Sequence, residues 1–478
     1  MHTFKKLKIA GVLAGTAVVC GTVAAESAAE RPNIILCMAD DQGWGDVSYN
    51  GHPILKTPNL DELSRAGLRF DQFHAAAPVC SPTRGSVLTG RHPNRFGCFR
   101  WGYDLRPQEI TIAEALKTAG YATGHFGKWH LGSVVAGSPV NPGNSGFDEW
   151  YTSPNTFDND PILSHKGVAV PFKGESSIVT AELAVDFIRE QSAAGTPFLA
   201  VVWFGSPHKP HIAAPEFKEP YKEYKKKADF YGEIAGIDGA VGLLRKELRN
   251  LNIQDNTIFW YCSDNGGLFP ESSGGRGKKA SIYEGGFRVP GIIEWPKVIE
   301  PGRVTQMLAN TVDMYPTLLD ITGIHMDNQP PLDGISLRPL INGKPMERSG
   351  PMGFWAYERP GKKLVYDDIT REMLNKQEAG ETFVPVPEEL RMDAEKVKEI
   401  LEEGDFAGRS AWLDWPWRLV RIDKEGRNPV FELYNLSSDP MESTDIIAQH
   451  AERAESMKAQ MAVWMNSVIR SQNGGDYK

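Results

Sequence analysis

The 478-residue chain contains only five cysteines, and their spacing shows no regular pattern. A disulfide framework and a cysteine-based zinc site are therefore not indicated. The chain also lacks an excess of basic residues, because its formal net charge is −9, and this argues against general binding to nucleic acid. Internal repeats are absent, and the charged and apolar fractions are ordinary for a folded protein. An anionic substrate would have to be attracted by a local cluster of positive charge.

The N-terminus differs from the rest of the chain in composition. Three lysines precede an apolar, small-residue run from Ile9 to about Val23, and alanines follow it. This pattern is typical of a secretory signal peptide, here over residues 1–25. A membrane anchor is the alternative, but the run is short and rich in Gly and Ala. We therefore expect export to a periplasm or to the cell exterior, without stable membrane insertion.

Apolar runs alternate with amphipathic helical patterns through the first three hundred residues. Runs such as 33–39, 197–204 and 257–263 are continuous, which is typical of strands covered on both faces. Five or more such alternations predict an α/β fold with a large, mostly parallel sheet between layers of helices. Residues 354–357 are expected to form a last strand of this sheet.

After residue 357 the alternation of apolar runs and helical patterns ends. The sequence therefore predicts that the chain is divided into a catalytic domain, an insertion and a small subdomain. A catalytic domain would span residues 26–357, and a charged insertion or linker would span residues 358–411. Two apolar segments and a terminal helix then predict a small α+β subdomain with an antiparallel sheet over residues 412–478. Within the insertion we expect a helix over residues 393–402.

Polar turns follow three of the predicted strands. Asp40 and Asp41 come directly after the first strand, His208 follows the second, and Asp264 and Asn265 follow the third. Adjacent carboxylates repel each other unless a cation or firm hydrogen bonding compensates. Solvated loop acids or a helix cap are the alternative interpretation. Oxygen ligands without a pair of His or Cys residues favour Ca²⁺ or Mg²⁺ over zinc.

Cys80 begins a polar turn that leads into a predicted helix. Pro82 and Thr83 suit its first turn, where free N–H groups would face an anion. A thiol at this place would be exposed to positive potential. A buried structural cysteine beside an ordinary helix start is the alternative.

Lys128 and His130 follow another predicted strand. They lie two residues apart, so in an extended segment they share a face. Ligands of open α/β sheets bind beyond the carboxyl ends of strands, which favours a functional role. A surface lysine and a buried, hydrogen-bonded histidine are the alternative.

The segment Cys80–Arg84, continued by Leu88–Arg91, resembles the signature of the type I sulfatases of the alkaline phosphatase superfamily. In that family a maturation enzyme oxidises this cysteine to Cα-formylglycine. The likeness extends over about residues 32–290 and is weaker through the C-terminal sheet. It implies an exported enzyme, of bacterial type, that removes sulfate from a carbohydrate.

The resemblance also implies roles for individual residues. A divalent cation, usually Ca²⁺ and with Mg²⁺ as the alternative, would be bound by Asp40, Asp41, Asp264, Asn265 and the modified Cys80. The catalytic set would consist of Cys80, Arg84, Lys128, His130, His208 and Lys279. A further polar side chain contacts the sulfate in many members, and Thr156 is the nearest candidate.

The substrate is less clearly indicated by the sequence. Aromatic and forked cationic side chains suit a sulfated sugar, and those expected at the pocket rim are Arg100, Trp101, His211 and Arg276. Plain packing is the alternative for each of them. A sulfated galactose, N-acetylgalactosamine or glucosamine unit of a glycan is our hypothesis for the substrate.

Three other functions remain open at this stage. An arylsulfatase of broad specificity would use the same residues. A phosphohydrolase of the same superfamily would normally need a Ser or Thr nucleophile and a second metal, for which the sequence offers no second set of ligands. A non-catalytic glycan-binding protein would result if Cys80 remained a thiol.

Overall fold

The strand Asn33–Ala39 lies near the middle of a ten-stranded sheet. Its side chains alternate between two apolar cores, with Leu36 and Met38 in one and Ile35 and Cys37 in the other. Both faces of the strand are thus removed from water, which explains why the run is apolar throughout. The prediction of a buried central strand is confirmed.

The computed structural model describes residues 31–364, 368–397, 400–424 and 427–477. Its strands are β1 (Asn33–Ala39), β2 (Leu68–Phe70), β3 (Phe73–His74), β4 (Ala122–Lys128), β5 (Glu149–Ser153), β6 (Ile162–His165), β7 (Val168–Pro171), β8 (Phe198–Trp203), β9 (Thr257–Ser263), β10 (Gly291–Glu294), β11 (Arg303–Thr305), β12 (Ala309–Asn310), β13 (Met352–Ala356), β14 (Arg409–Asp414), β15 (Trp417–Lys424) and β16 (Arg427–Asn435).

The main sheet has the strand order β11-β2-β10-β9-β1-β8-β4-β5-β6-β7. Its centre, from β9 through β1, β8 and β4 to β5, is parallel, whereas β10, β6 and β7 pair antiparallel with their neighbours. The expected α/β fold with a large, mostly parallel sheet is therefore confirmed.

Helices cover both faces of this sheet. They are α1 (Pro58–Ala66), α2 (Cys80–Thr89), α3 (Ile112–Lys117), α4 (Ser176–Ala194), α5 (Pro215–Lys218), α6 (Ala228–Asn250), α7 (Met314–Thr322), α8 (Arg338–Ile341), α9 (Ile369–Glu378), α10 (Pro387–Leu390) and α11 (Ala451–Gln472). Apolar residues of α4 and α6 lie in the core on one face, and those of α2, α3 and α7 lie in the core on the other.

A second sheet is antiparallel and has the order β13-β14-β15-β16. The expectation that residues 354–357 belong to the main sheet is wrong, because β13 pairs with β14. Phe354 lies in a core with Phe287, whereas Trp355 lies in a core with residues of α11. The apolar run correctly indicated a strand covered on both faces, but such a pattern does not indicate the partner strand.

The helix expected over residues 393–402 is also wrong, since the described residues of this segment form turns and irregular structure. Side chains that are distant in sequence bind the backbone of this segment. Asn473 Oδ1 accepts a hydrogen bond from Leu401 N at 2.9 Å, and Gln108 Nε2 donates to Glu395 O at 3.0 Å. These bonds hold backbone groups of the segment outside a helix.

The described part of the chain from Pro32 onward forms one compact unit. The signal peptide predicted over residues 1–25 lies outside the described residues. Among the helices that the structure describes, none is both long enough and apolar enough to cross a membrane. The predicted division at residues 357 and 411 stays a prediction, and the pairing of β13 with β14 spans the interval between these two positions.

A buried ionic cluster joins the second sheet to the loop before β10. Arg418 on β15 lies with its Nη1 atom 2.7 Å from Glu284 Oε2 and its Nε atom 3.3 Å from Glu442 Oε1. His74 Nε2 lies 2.6 Å from Glu284 Oε1. Burial acts to raise the pKa of Glu284, but His74 and Arg418 outweigh it and lower the pKa to about 2. Glu284 is therefore ionised at neutral pH and depends on its cationic neighbours.

Replacing Arg418→Met should destabilise the protein by about 3–5 kcal/mol, because Glu284 would remain charged and buried without its guanidinium partner. The matched control is Arg338→Met, since Arg338 Nη1 lies 2.9 Å from Asp320 Oδ1 but both side chains are nearly half exposed. The control should cost less than about 1 kcal/mol. Chemical denaturation of both variants measures the difference, and equal losses would contradict the role given to the buried cluster.

Candidate active site

Two acidic turns meet at the carboxyl ends of β1 and β9. Asp40 and Asp41 follow β1, and Asp264 and Asn265 follow β9, with all four side chains buried. Asp264 N donates a hydrogen bond to Ala39 O at 3.2 Å, and Asp41 N donates to Asp264 Oδ1 at 3.2 Å. Because β1 and β9 are parallel neighbours, their ends bring the two turns to the same edge of the sheet.

Two cations from other elements contact these carboxylates. Arg84 on α2 donates from Nη2 to Asp264 Oδ2 at 2.7 Å and lies 3.7 Å from Asp40 Oδ2. Lys128, the last residue of β4, donates from Nζ to Asp40 Oδ2 at 2.5 Å. Arg84 Nη1 also donates to the carbonyl of Lys128 at 3.3 Å. The expected proximity of these four residues is thus observed.

Lys279 contacts the same cluster from the loop before β10. Its Nζ lies 2.6 Å from Asp41 Oδ1, and Asn265 Nδ2 donates to the same oxygen at 2.8 Å. The backbone of this loop is fixed on both sides, since Lys279 N donates to Gly267 O and Ala280 N donates to Pro78 O. The second hydrogen bond ties the lysine loop to the segment that leads into Cys80.

Cys80 is the first residue of α2 and is buried. Its Sγ lies within 4.8 Å of a carboxylate oxygen of Asp40 and one of Asp264. The approach to the helix is fixed by Thr83, whose Oγ1 lies 3.1 Å from Ala77 N and 3.0 Å from Ala77 O. Burial raises the pKa of the Cys80 thiol, although nearby lysines act in the opposite direction. An unmodified thiol would therefore stay protonated at neutral pH.

Two histidines complete the cluster. His208 Nε2 lies 3.8 Å from Asp41 Oδ2, and its Nδ1 lies 2.7 Å from Lys209 O. Since a carbonyl only accepts, Nδ1 carries the proton, and Nε2 is the atom that can exchange one. His130 is buried, and neither ring nitrogen has a hydrogen-bond partner among the described residues. Burial, together with Lys128 and Arg84, lowers the pKa of His130 well below its usual value, so its ring is neutral.

The cluster contains three carboxylates and three cations, and its formal charges therefore cancel. Burial acts to raise the pKa of Asp40, but Lys128, His208 and Arg84 outweigh it and hold the pKa well below its usual range. The pKa of Asp264 is raised by burial and by repulsion from Asp40. An additional cation would relieve this repulsion and give the site the net positive charge that attracts an anionic substrate.

Two buried oxygens of the cluster have no hydrogen-bond donor among the described residues: Asp40 Oδ1 and Asn265 Oδ1. A carboxylate and an amide oxygen of this kind are the ligands that Ca²⁺ and Mg²⁺ prefer. Two groups of described side chains are close enough to hold a metal ion, and Asp40 belongs to both of them. The donor set thus fits a single oxygen-bound cation site.

Three of the residues expected to bind substrate make contacts within the protein. Thr156 Oγ1 donates to Gly205 O at 3.0 Å, near the turn that carries His208. His211 Nδ1 lies 3.3 Å from Glu233 Oε2. The guanidinium of Arg276 lies 3.7 Å from the ring centre of Tyr283 and donates to Tyr434 and to the carbonyl of Glu442. A role in substrate binding stays a prediction for all three residues.

Arg100 and Trp101 belong to a loop that contacts the first turn of α2. Arg100 borders a narrow groove together with Val79 and Ala280, which are the sequence neighbours of Cys80 and Lys279. Trp101 is 39% exposed, and part of its indole ring lies against Gly361. Arg100 is therefore close to the cluster, whereas Trp101 contacts the charged insertion.

Sequence reasoning missed the residues that position this site from a distance. The second sheet supports the Lys279 loop through Arg418 and Glu284, which are separated by more than a hundred residues. Arg418 lies in a strand that also carries Arg421, and nothing in the sequence indicated Glu284 as its partner.

The comparisons with known proteins agree with this geometry. Residues 32–324 match the sequence profile of the family described as Sulfatase. The dog N-acetylgalactosamine-6-sulfatase is 33% identical over 359 residues, which are 67% of each chain. Human arylsulfatase A is 34% identical over 355 residues, covering 66% of this chain and 68% of the relative.

A solved structure supports the same assignment at the level of the fold. The crystal structure of Ps i-CgsB in complex with k-i-k-neocarrahexaose has a TM-score of 0.75 at 23% identity, covering 92% of this chain and 94% of that one. The family match, the identity to curated sulfatases and the shared fold lead to one conclusion. The chain belongs to the type I sulfatase family of the alkaline phosphatase superfamily, whose members hydrolyse sulfuric esters.

Proposed function

We propose that the protein removes sulfate from a sulfated carbohydrate, using a formylglycine formed from Cys80 and one divalent cation. The observation that carries the proposal is the cluster around the Cys80 thiol, in which three buried carboxylates are paired with three cations. A sulfate ester resists attack because its oxygens are negative, so its hydrolysis needs fixed positive charge around them. The three cations of the cluster, together with an added divalent cation, would supply this charge.

Asp40, Asp41, Asp264 and Asn265 would hold the cation, together with the modified Cys80. We favour Ca²⁺ because all these donors are oxygens, four of them come from one sheet edge, and Ca²⁺ accepts irregular oxygen coordination. The unpaired Asp40 Oδ1 and Asn265 Oδ1 support the assignment. Mg²⁺ has a stricter geometry and is the alternative.

A protonated thiol is a weak nucleophile and a poor ligand for a hard cation. Oxidation of Cys80 by a maturation enzyme to formylglycine would replace this thiol by a group whose oxygens suit both roles. The hydrated aldehyde would supply a hydroxyl group for attack on sulfur, and the cation would stabilise negative charge there.

The remaining residues have roles that follow from their positions. Arg84, Lys128 and Lys279 would attract and orient the sulfate oxygens. His208 and Lys279 would together protonate the departing alcohol oxygen; because burial lowers the pKa of His208, its Nε2 would first take up a proton, for which the Lys279 ammonium is the nearby source. The neutral, unpartnered ring of His130 would accept the proton of the second hydroxyl at position 80, which allows release of sulfate.

A sugar substrate is supported by the relatives and by the predicted export of the chain. One relative is named for N-acetylgalactosamine 6-sulfate, and a protein of the same fold binds a neocarrahexaose. A periplasmic or extracellular location after removal of residues 1–25 would place the enzyme where sulfated glycans occur. We therefore propose a sulfated galactose or N-acetylgalactosamine unit, or a related glucosamine unit, as the substrate.

Maturation of Cys80 should lower the intact mass of the protein by about 18 Da, as expected for exchange of the thiol by an aldehyde. Cys80→Ala should abolish sulfate release because the nucleophile is lost. Cys37→Ala is the control, since Cys37 is also buried but belongs to β1, with its side chain in the apolar core. Turnover that persists in Cys80→Ala would refute the mechanism.

Addition of Ca²⁺ should raise the melting temperature of the protein, since a ligand at a hundred times its Kd adds about 2.7 kcal/mol of stability. Asn265→Leu should remove this shift because it deletes a cation ligand. Asn94→Leu is the matched control: Asn94 is equally buried, and its Oδ1 also has no partner among the described residues. The control should melt earlier but keep the shift, and retention of the full shift in Asn265→Leu would exclude the assigned site.

A panel of esters tests the substrate class. The 6-sulfates of N-acetylgalactosamine, galactose and glucosamine are compared with 4-nitrophenyl sulfate and 4-nitrophenyl phosphate. Contacts to the sugar should raise kcat/KM for the best sugar ester at least about tenfold above the aryl sulfate. A higher value for the aryl sulfate would favour a broad arylsulfatase, and a higher value for the phosphate would favour a phosphohydrolase.

A further inference from the structure

Glu233 is a buried carboxylate in the second turn of α6, and it is 4% exposed. Both of its oxygens contact the loop between β8 and α5. Oε1 accepts a hydrogen bond from Ile212 N at 2.6 Å, and Oε2 lies 3.3 Å from His211 Nδ1. Burial raises the pKa of Glu233, so this position disfavours an ionised side chain, and an apolar one would avoid that cost. The carboxylate is therefore explained by the loop that it binds.

The loop that Glu233 binds also contains His208. Its start is fixed on the main sheet, since Asp40 N donates a hydrogen bond to Ser206 O at 2.9 Å. Its far end is fixed on α6 through the contacts of Glu233. Residues 209 and 210, which lie between these two anchors and directly after His208, are exposed. The contacts with α6 therefore limit how far the loop can move beyond His208.

The orientation of the His208 ring depends on this same part of the loop. Nδ1 of the ring donates to Lys209 O at 2.7 Å, so a shift of the peptide group after Lys209 would turn the ring. The other ring nitrogen, Nε2, lies 3.8 Å from Asp41 Oδ2. A displaced loop would thus move the nitrogen that faces the cluster.

Other contacts at this end of the loop are longer or less buried than those of Glu233. Asp229 Oδ1 accepts from Ala213 N at 3.3 Å, and the Asp229 side chain is 25% exposed. Asn159 Nδ2 donates to Ile212 O at 2.9 Å in an exposed hydrogen bond. Water can replace an exposed partner more easily than a buried one. Glu233 is therefore the anchor whose loss the loop can compensate least.

We propose that Glu233 is a positioning residue for His208: it holds the loop so that the imidazole lies where the departing alcohol oxygen is protonated. The proposal rests on the proposed function, in which His208 and Lys279 supply this proton. A positioned acid contributes about 10²–10⁴-fold to a rate, and a displacement of about 1 Å can cost about 10²-fold. Loss of Glu233 should therefore impair hydrolysis most where the leaving group needs a proton.

Two aryl sulfates separate this role from a merely structural one. The 4-nitrophenolate group leaves without a proton, whereas the more basic phenolate of phenyl sulfate gains from protonation as it departs. Glu233→Leu should lower kcat/KM for phenyl sulfate at least about tenfold more than kcat/KM for 4-nitrophenyl sulfate. The ratio of the two values does not depend on how much of the protein is folded and matured, so a partly unfolded variant remains informative.

Glu233→Gln tests the hydrogen bond itself. Its amide oxygen can still accept from Ile212 N, so this variant should retain most of the wild-type ratio. A ratio as low as that of Glu233→Leu would overturn the role given to this hydrogen bond.

Asp238→Leu is the matched control on the same helix. Asp238 is 3% exposed, and its Oδ1 accepts a hydrogen bond from Leu60 N at 2.8 Å. Leu60 belongs to α1, which contains no residue of the active-site cluster. The control should therefore destabilise the protein in chemical denaturation and leave the ratio of the two esters unchanged. An unchanged ratio in Glu233→Leu, or an equal change in Asp238→Leu, would overturn the proposal.

His208→Ala distinguishes failure of this proposal from failure of the proposed function. Equal loss on both esters in His208→Ala would refute protonation by His208, and the positioning role would fall with it. A larger loss on phenyl sulfate in His208→Ala that is absent in Glu233→Leu would refute the positioning role alone. The same selective loss in both variants is the result that we expect.

Discussion

The active site depends on burying three carboxylates against three cations at one edge of the sheet. An ionised carboxylate removed from water without a partner is too costly for a folded protein of ordinary stability. Asp40 is bound by Lys128 from β4 and approached by Arg84 from α2, so two elements distant in sequence must meet at the end of β1. The parallel order of the central strands is what allows this meeting. Fold and site are therefore fixed by the same set of contacts.

The same constraint explains why the C-terminal sheet matters for a site that contains none of its residues. Lys279 lies on a loop, and a loop alone would not hold its ammonium group within 2.6 Å of Asp41. Glu284, a few residues later, is bound by Arg418 of β15, and Arg276 packs on Tyr283 and contacts Tyr434. The loop is thus fixed at both ends by buried charge and aromatic packing. The second sheet acts as a support for the loop that carries Lys279.

Sequence reasoning was most successful where a short segment contained both the structural and the chemical signal. Asp40 and Asp264 each follow a continuous apolar run, and parallel strands bring such positions together by a general rule. The predictions were wrong where a segment's partners are distant in sequence. Nothing in residues 354–357 indicates that they pair with β14. Likewise, nothing in residues 393–402 shows that Gln108 and Asn473 bind their backbone. Arg276 was expected at the pocket rim for its charge, but its position is set by Tyr283.

The part of the chain that matches the sulfatase family differs from the remainder in what constrains its residues. The match to the family ends at residue 324, and all of the carboxylates, cations and histidines of the cluster lie before that point. The segment between β13 and β14 lies after it. Hydrolysis of a sulfuric ester needs the same charges whatever group bears the ester, so the matched part of the chain is constrained by the reaction. Selection among substrates depends instead on groups beyond the reacting sulfate, which the reaction itself leaves free to differ between relatives.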